Sequence, residues 1–225
     1  MKYAINGRFV VRKLTGQERF ATELLRELDK ICEKDELVLV VPEYAEILPD
    51  YKNIKIVKYG KVKSHFWEQI SLYRYCKKHH LVSVNLTSTC PLLDSGIVCC
   101  HDAAAYEIRE LLTQNLYGRL SYIWHQMMIE AVKRSKYPII TVSNYSKSRL
   151  SKFMKVPESR FHVISNAWQH YLRVNEDESI FEKLPKGYVR GEYFMALSSL
   201  SPQKNFIWVK EVAKRNLEKK FLIVG

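Results

Sequence analysis

The sequence predicts an α/β fold in which a parallel sheet is flanked by helices. Two observations predict it. Short β-branched runs alternate with amphipathic stretches along nearly the whole chain, with no internal repeat or low-complexity segment between them. One of those runs, ELVLVVP (36–42), is continuously apolar and ends in proline, the pattern of a strand buried on both faces. Strand and helix alternating in this way assemble as βαβ units with right-handed crossovers, and such sheets take ligands outside the carboxyl ends of their strands.

Taken in order, KYAIN (2–6) is the first strand. After a glycine-containing turn a helix runs from about Gln17 to Cys32, because Phe20, Leu24, Leu25 and Leu28 recur at helical spacing. ELVLVVP and NIKIVKY follow as strands, SHFWEQISLYRYCKKHH as a helix in which Trp67 and Glu68 pack against the sheet, and LVSVNL (81–86) as a strand. GIVCC (96–100) is the next strand, and one or two helices lie between roughly Tyr106 and Ser135. YPIITVS (137–143) and RFHVIS (160–165) are strands enclosing the helix NYSKSRLSKFM, with Ser143 or Asn144 as its cap.

A break falls after about Ala167: NEDES is polar and acidic, and LPKGYVRGE carries a proline and two glycines. Strand, helix and strand then start afresh in YFMALSS, PQKNFIWVKEVAKRN and KKFLIVG. The expected organisation is one domain over residues 1–170, a linker over 171–190, and the first βαβ unit of a second domain over 191–225. A tail of that size has too little apolar surface for a core of its own.

With 225 residues and 47% hydrophobic content, the chain can fill one generous core or two small ones. MKYAINGRF is not a signal peptide, since Asn6 and Arg8 interrupt any apolar region at once. No stretch approaches the roughly 18 apolar residues of a membrane span, so a cytoplasmic protein is expected. Five cysteines, an odd number, fit reduced thiols there. The net charge is +12, and lysines recur in KNIKIVKYGKVK (52–63), KKHH (77–80) and KSRLSKFMK (147–155). Solvated lysine on helix faces and strand edges is one reading; an anionic membrane surface, a phosphorylated ligand or nucleic acid are the others. Nucleic acid is disfavoured, because the charge is spread over many segments and no zinc-finger or RNP signature occurs.

Four segments carry candidate chemistry. In IVCCHDAAAY (97–106), Cys99 and Cys100 point to opposite faces of a strand and so do not chelate one metal together; they read as core. His101 and Asp102 stand at the strand's carboxyl end, where an imidazole can bond a substrate hydroxyl and Asp102 can fix its tautomer or the loop. Alternatively His101 is satisfied by backbone and Asp102 caps the next helix. In KLTGQERFATELL (13–25), Thr15 or Gly16 caps a helix whose free N–H groups attract anions, and Gly16 permits close approach of a ligand. In SSLSPQKN (198–205), Pro202 suits a first helical turn and Lys204 sits near the helix start as a point charge for phosphate, or as an ordinary surface lysine. ITVSNYSKSRL reads as a capped helix, for no Gly-x-Ser-x-Gly elbow is present.

Taken together these segments resemble family 4 glycosyltransferases of the GT-B group. LTGQERFATELLREL is similar to the family's L-T-G-x-x-R-[FY]-x-x-E-[LI] signature, and IVCCHDAAAY to its strand followed by H-D. IITVSNYSKSRLSKFMKVPESRFHVISNAW follows ITVSxxSxxxLxxxxxVPxxxxxVIxNGV, and FMALSSLSPQKNFIWVKEV follows xxVGSLxPRKNxxxLxxA. The resemblance runs from about Ala4 to Gly225 and implies a Rossmann-like amino-terminal domain on the acceptor side, followed by part of a second Rossmann-like domain for a nucleotide-sugar donor.

By that resemblance Thr15 and Gly16 lie beside the donor diphosphate and acceptor, and His101, supported by Asp102, contacts the transferred sugar. Ser199 and Lys204 belong to the phosphate site, where Lys204 neutralises the leaving diphosphate. The implied reaction is retaining transfer onto a surface glycan or lipid-linked acceptor, with the nucleotide sugar as co-substrate and no cofactor or metal. Peripheral contact with the anionic inner face of a membrane would suit the charge. Gln203 replaces the family's usual arginine, Ser198 and Ala167 replace glycines, and the chain stops before the family's E-x7-E region. The expectation is therefore an acceptor-side portion, weakly active by itself. The other expectation is a non-catalytic module that keeps acceptor or partner recognition.

Overall fold

The computed structural model describes residues 2–198 and 204–224. The chain divides into two compact units, Met1–His170 and Tyr171–Gly225. The first unit is a Rossmann-like α/β layer structure. Its strands are β1 (Tyr3–Asn6), β2 (Leu37–Val41), β3 (Lys55–Lys58), β4 (Val82–Asn85), β5 (Ile97–Cys99), β6 (Ile139–Thr141) and β7 (Phe161–Val163). All neighbours pair in parallel, in the order β3-β2-β1-β4-β5-β6-β7. The chain thus winds outward from β1 to β3, then returns to lay β4 on the other side of β1. The crevice of the sheet opens where that direction reverses, between β1 and β4.

Burial follows strand alternation. In β2, Leu39 and Val41 join the core with Ile5 and Leu86, under helix α1 (Gly16–Ile31), while Val38 and Val40 face the opposite side with Ala4. That is why the run reads as continuously apolar. The α1 face expected from periodicity is the one that packs: Phe20 and Leu25 are core, with Leu24 and Leu28 against it. Asp29, on the same helix, accepts N–H bonds from Lys52, Asn53 and Ile54 at 2.8 Å each, tying α1 to the segment before β3.

The second face of the sheet carries two groups of helices. Helices α2 (His65–Trp67) and α3 (Tyr73–His79) are joined by a π-helical segment, Glu68–Leu72, so the helix expected over this stretch is widened in its middle. Further along come α4 (Ala104–Glu107), α5 (Arg109–Leu112), α6 (Leu116–Arg134) and α7 (Asn144–Met154). Three helices thus stand between β5 and β6, where one or two were expected. Asn115 restarts the chain by accepting the Gly118 N–H at 2.8 Å. Ser143 caps α7 in the same way, accepting from the Ser146 N–H at 3.0 Å.

Cys99 lies in the core beneath α1, and Cys100 in the core beneath α6 and α7. Both are free and buried, and burial pushes the Cys100 thiol up to about 12. They are core residues on opposite faces, as strand alternation requires.

Gly96 enters β5 with φ +58°, and a Cβ there would stand 2.1 Å from the Ser83 carbonyl oxygen. Gly96→Ala should lower unfolding free energy by about 2–5 kcal/mol, from left-handed strain plus a backbone clash. Chemical denaturation of the variant measures it.

The second unit holds β8 (Phe194–Leu197), α8 (Phe206–Arg215) and β9 (Phe221–Val224), with β8 and β9 parallel. Its preceding segment forms 3-10 turns at Gln169–Arg173 and Glu178–Lys183. The Tyr188 hydroxyl donates to the Phe221 carbonyl at 3.0 Å, yet no described residue of this unit is buried. No helix among the described residues is long and apolar enough to cross a membrane.

Candidate functional site

Strands β1, β4 and β5 are neighbours, so the segments after Asn6, Asn85 and Cys99 emerge at one carboxyl edge. Two of the segments singled out in the sequence meet there. Thr15 is the N-cap of α1, and its N–H donates to Glu18 Oε2 at 3.2 Å; its hydroxyl donates to the same oxygen. The other Glu18 oxygen pairs with Arg12 Nη1 at 3.0 Å, so this buried carboxylate orders the whole approach to the helix. Gly16 is the first helical residue, and a Cβ built on it would meet nothing within 4 Å. The fold does not demand glycine at this position, and its flank is open to a ligand.

About one turn into α1, Phe20 sets its ring edge-on to His101, with centroids 5.0 Å apart and planes at 87°. His101 is buried, and its Nε2 lies 2.8 Å from the Leu86 carbonyl. A carbonyl accepts only, so Nε2 carries the proton and Nδ1 keeps its lone pair. Burial holds the imidazole below its ordinary value of 6.5, against the opposing pull of the Leu86 carbonyl, Asp102 and Glu18. His101 is therefore neutral at pH 7. Of the two roles expected of Asp102, the structure gives it the loop: Oδ1 accepts the Ala104 N–H at 2.9 Å, at the start of α4. The tautomer is set by Leu86 instead.

Beside these residues stands a polar network that the sequence reading missed. Glu68, read as a packing residue, is fully buried. Its Oε1 lies 3.0 Å from Arg8 Nε and accepts from Asn6 Nδ2 at 2.8 Å and from the Thr89 hydroxyl at 2.6 Å. Arg8 Nη2 donates to Thr89 at 3.2 Å, and Asn6 Nδ2 also reaches Asn85 Oδ1 at 3.0 Å. The second oxygen of Glu68 faces His65 Nδ1 at 3.6 Å. Burial by itself would raise the Glu68 carboxyl; His65, Arg8, Thr89 and Asn6 reverse that and hold it below its ordinary value. The network locks β1 to β4 at the switch point and fixes the floor of the crevice.

A signal for it was present. Ser83, Asn85, Thr87 and Thr89 are buried polar residues at every second position along and just after β4. Such alternation in a strand covered on both faces demands polar partners on the covering helix. The π-helical segment begins at the partner, Glu68; π turns recur at functional sites.

Lys204 belongs to the second unit, exposed and immediately before Asn205, the N-cap of α8. Ser199, with Pro202 and Gln203, lies outside the described residues. Among the described residues no cluster of three or more His, Cys, Asp or Glu is placed to hold a metal ion. No family model matches this chain, and no curated protein is significantly similar to it.

Proposed function

We propose that the protein transfers a sugar from a nucleotide-diphosphate donor, with retention, to a glycan or lipid-linked acceptor bound at the carboxyl edge of the first unit. The observation that carries this reading is the convergence of the open Gly16 flank and His101, joined through Phe20, at the crevice between β1 and β4. The first N–H groups of α1 suit the diphosphate, and Gly16 lets it approach. The lone pair of His101 Nδ1 accepts a hydroxyl of the transferred sugar. By the resemblance, Lys204 of the second unit is the positive charge that a nucleoside diphosphate would meet. The bond from the anomeric carbon to the diphosphate oxygen breaks as a bond to the acceptor oxygen forms, and the acceptor's proton leaves with the nucleoside diphosphate.

A second reading, an acceptor-binding module without chemistry, is favoured by one observation: the side chains of His101 and Asp102 already have backbone partners. Calorimetric titration with UDP, GDP and their common sugar conjugates separates the two. Transfer predicts micromolar binding that falls at least about tenfold in Gly16→Val, with melting temperature little changed because a Cβ at that position meets nothing within 4 Å. No binding by the folded protein to any of these ligands would give the site to the second reading.

A further inference from the structure

A cavity at the opposite edge of the sheet has no part in that chemistry. Its volume is about 540 Å³, within the range of small-molecule sites. Ser95, just before β5, and Tyr137, just before β6, both line it, so it lies at the amino ends of these strands. His101 follows β5, and the length of that strand separates the cavity from the candidate site.

Its cations are left over from the end of α6. The last carbonyls of a helix draw nearby cations, and here Arg160 takes that place. Arg160 Nη1 donates to the Lys133 carbonyl at 2.9 Å. Its Nη2 donates to the Tyr137 carbonyl at 3.0 Å and also to that of Ser135. Arg134 and Lys136, both exposed and both lining the cavity, have no acidic partner among the described residues. Asp94 is the one acidic residue of the lining, and Lys77 holds it at 3.1 Å. The cavity therefore carries two uncompensated positive charges. Beside them is an apolar wall of Leu92, Tyr137 and Leu93, the last of which is 80% exposed.

We infer that this cavity binds a small phosphomonoester with a planar or apolar body, of nucleoside-monophosphate size. A dianionic phosphate matches the two cations, and the Arg134 guanidinium can take two of its oxygens at once. The body of the ligand then lies against Leu92, Leu93 and the Tyr137 ring. The charge pattern favours a small ligand over a polymer. Nucleic acid gains affinity from many phosphate contacts along a basic stripe. Here the neighbouring Lys133 and Lys77 are already neutralised by Glu130 and Asp94, so the positive charge does not extend beyond the cavity on those elements.

The site stands independently of glycosyl transfer and is tested without a sugar donor. The full chain is titrated calorimetrically with AMP, phenyl phosphate, adenosine and inorganic phosphate. At least one of the two phosphomonoesters is expected to bind, with adenosine and inorganic phosphate each weaker by about tenfold or more. Arg134→Gln with Lys136→Gln should weaken that binding by about tenfold or more, and Leu93→Ser by about threefold or more. Melting temperature should hold in both variants, since all these side chains are exposed. Gly16→Val should leave the binding unchanged. No binding of either phosphomonoester, or variants that bind equally well, overturn the inference. So does inorganic phosphate binding as tightly as the esters, which marks an adventitious ion only. Binding lost in Gly16→Val but kept in the Arg134 and Lys136 variant puts the ligand in the crevice and overturns it as well. A DNA oligomer bound through the same two cations near physiological salt assigns the patch to nucleic acid instead, against the inference.

Discussion

Glu68→Ala should cost about 3–5 kcal/mol of folding free energy, the loss expected when one partner of a buried ion pair is removed. Arg8 is only 6% exposed, and with Glu68 gone its guanidinium keeps the Thr89 hydroxyl but loses its counter-charge. Replacing both partners together, as Arg8→Met with Glu68→Met, should cost much less, because no uncompensated charge remains buried. Denaturant unfolding of the two variants gives the comparison; equal losses would show that packing, not charge pairing, holds this region. The same network gives an acid limb to stability. The folded Glu68 carboxyl lies below its ordinary 4.5, so its contribution is complete above that pH and is lost as pH falls through the lower folded value.

On the proposed reading, His101→Ala should lower sugar transfer by roughly 100-fold or more, the usual loss when one polar contact to a reacting group is deleted in a water-poor site. The residue is also structural, through the Leu86 carbonyl and Phe20, so the readout has to separate chemistry from folding. His101→Gln provides that control: its amide can still donate to Leu86, yet it places no ring lone pair in the crevice. Transfer falling in both variants, with stability falling mainly in the alanine variant, is the expected pattern. The imidazole's depressed pKa sets the pH sense. With neutral His101 as the proposed binding form, transfer should hold down to mildly acidic pH and decline as Nδ1 gains a proton below the ordinary 6.5. Transfer that rises on acidification would exclude the lone-pair role.

The sheet was legible because its strands are β-branched, short and separated by helices whose apolar faces keep a 3.6-residue period. Periodicity located α1 to within a residue at either end, and alternation placed Cys99 and Cys100 on opposite faces. The convergence of Gly16 with His101 was legible only as two strand-end motifs, since their meeting depends on strand order, which local pattern does not specify. The Glu68 network was harder to read. A widened helical turn has no sequence period of its own, and Asn6, Glu68 and Thr89 are separated by 62 and 21 residues.

The strand order also bears on how the chain is made. β1, β2 and β3 can pair once the first 60 or so residues have left the ribosome, whereas Thr89 follows Arg8 by 81 residues. At about 5–20 residues per second that is roughly 4–16 s of synthesis during which the future crevice floor stands open, its arginine still hydrated. Asn85 and Thr89 join the network only when β4 arrives, so the central strand of the finished sheet begins as an edge. The lysines of β3 already guard the opposite margin of that nascent half-sheet against stray pairing.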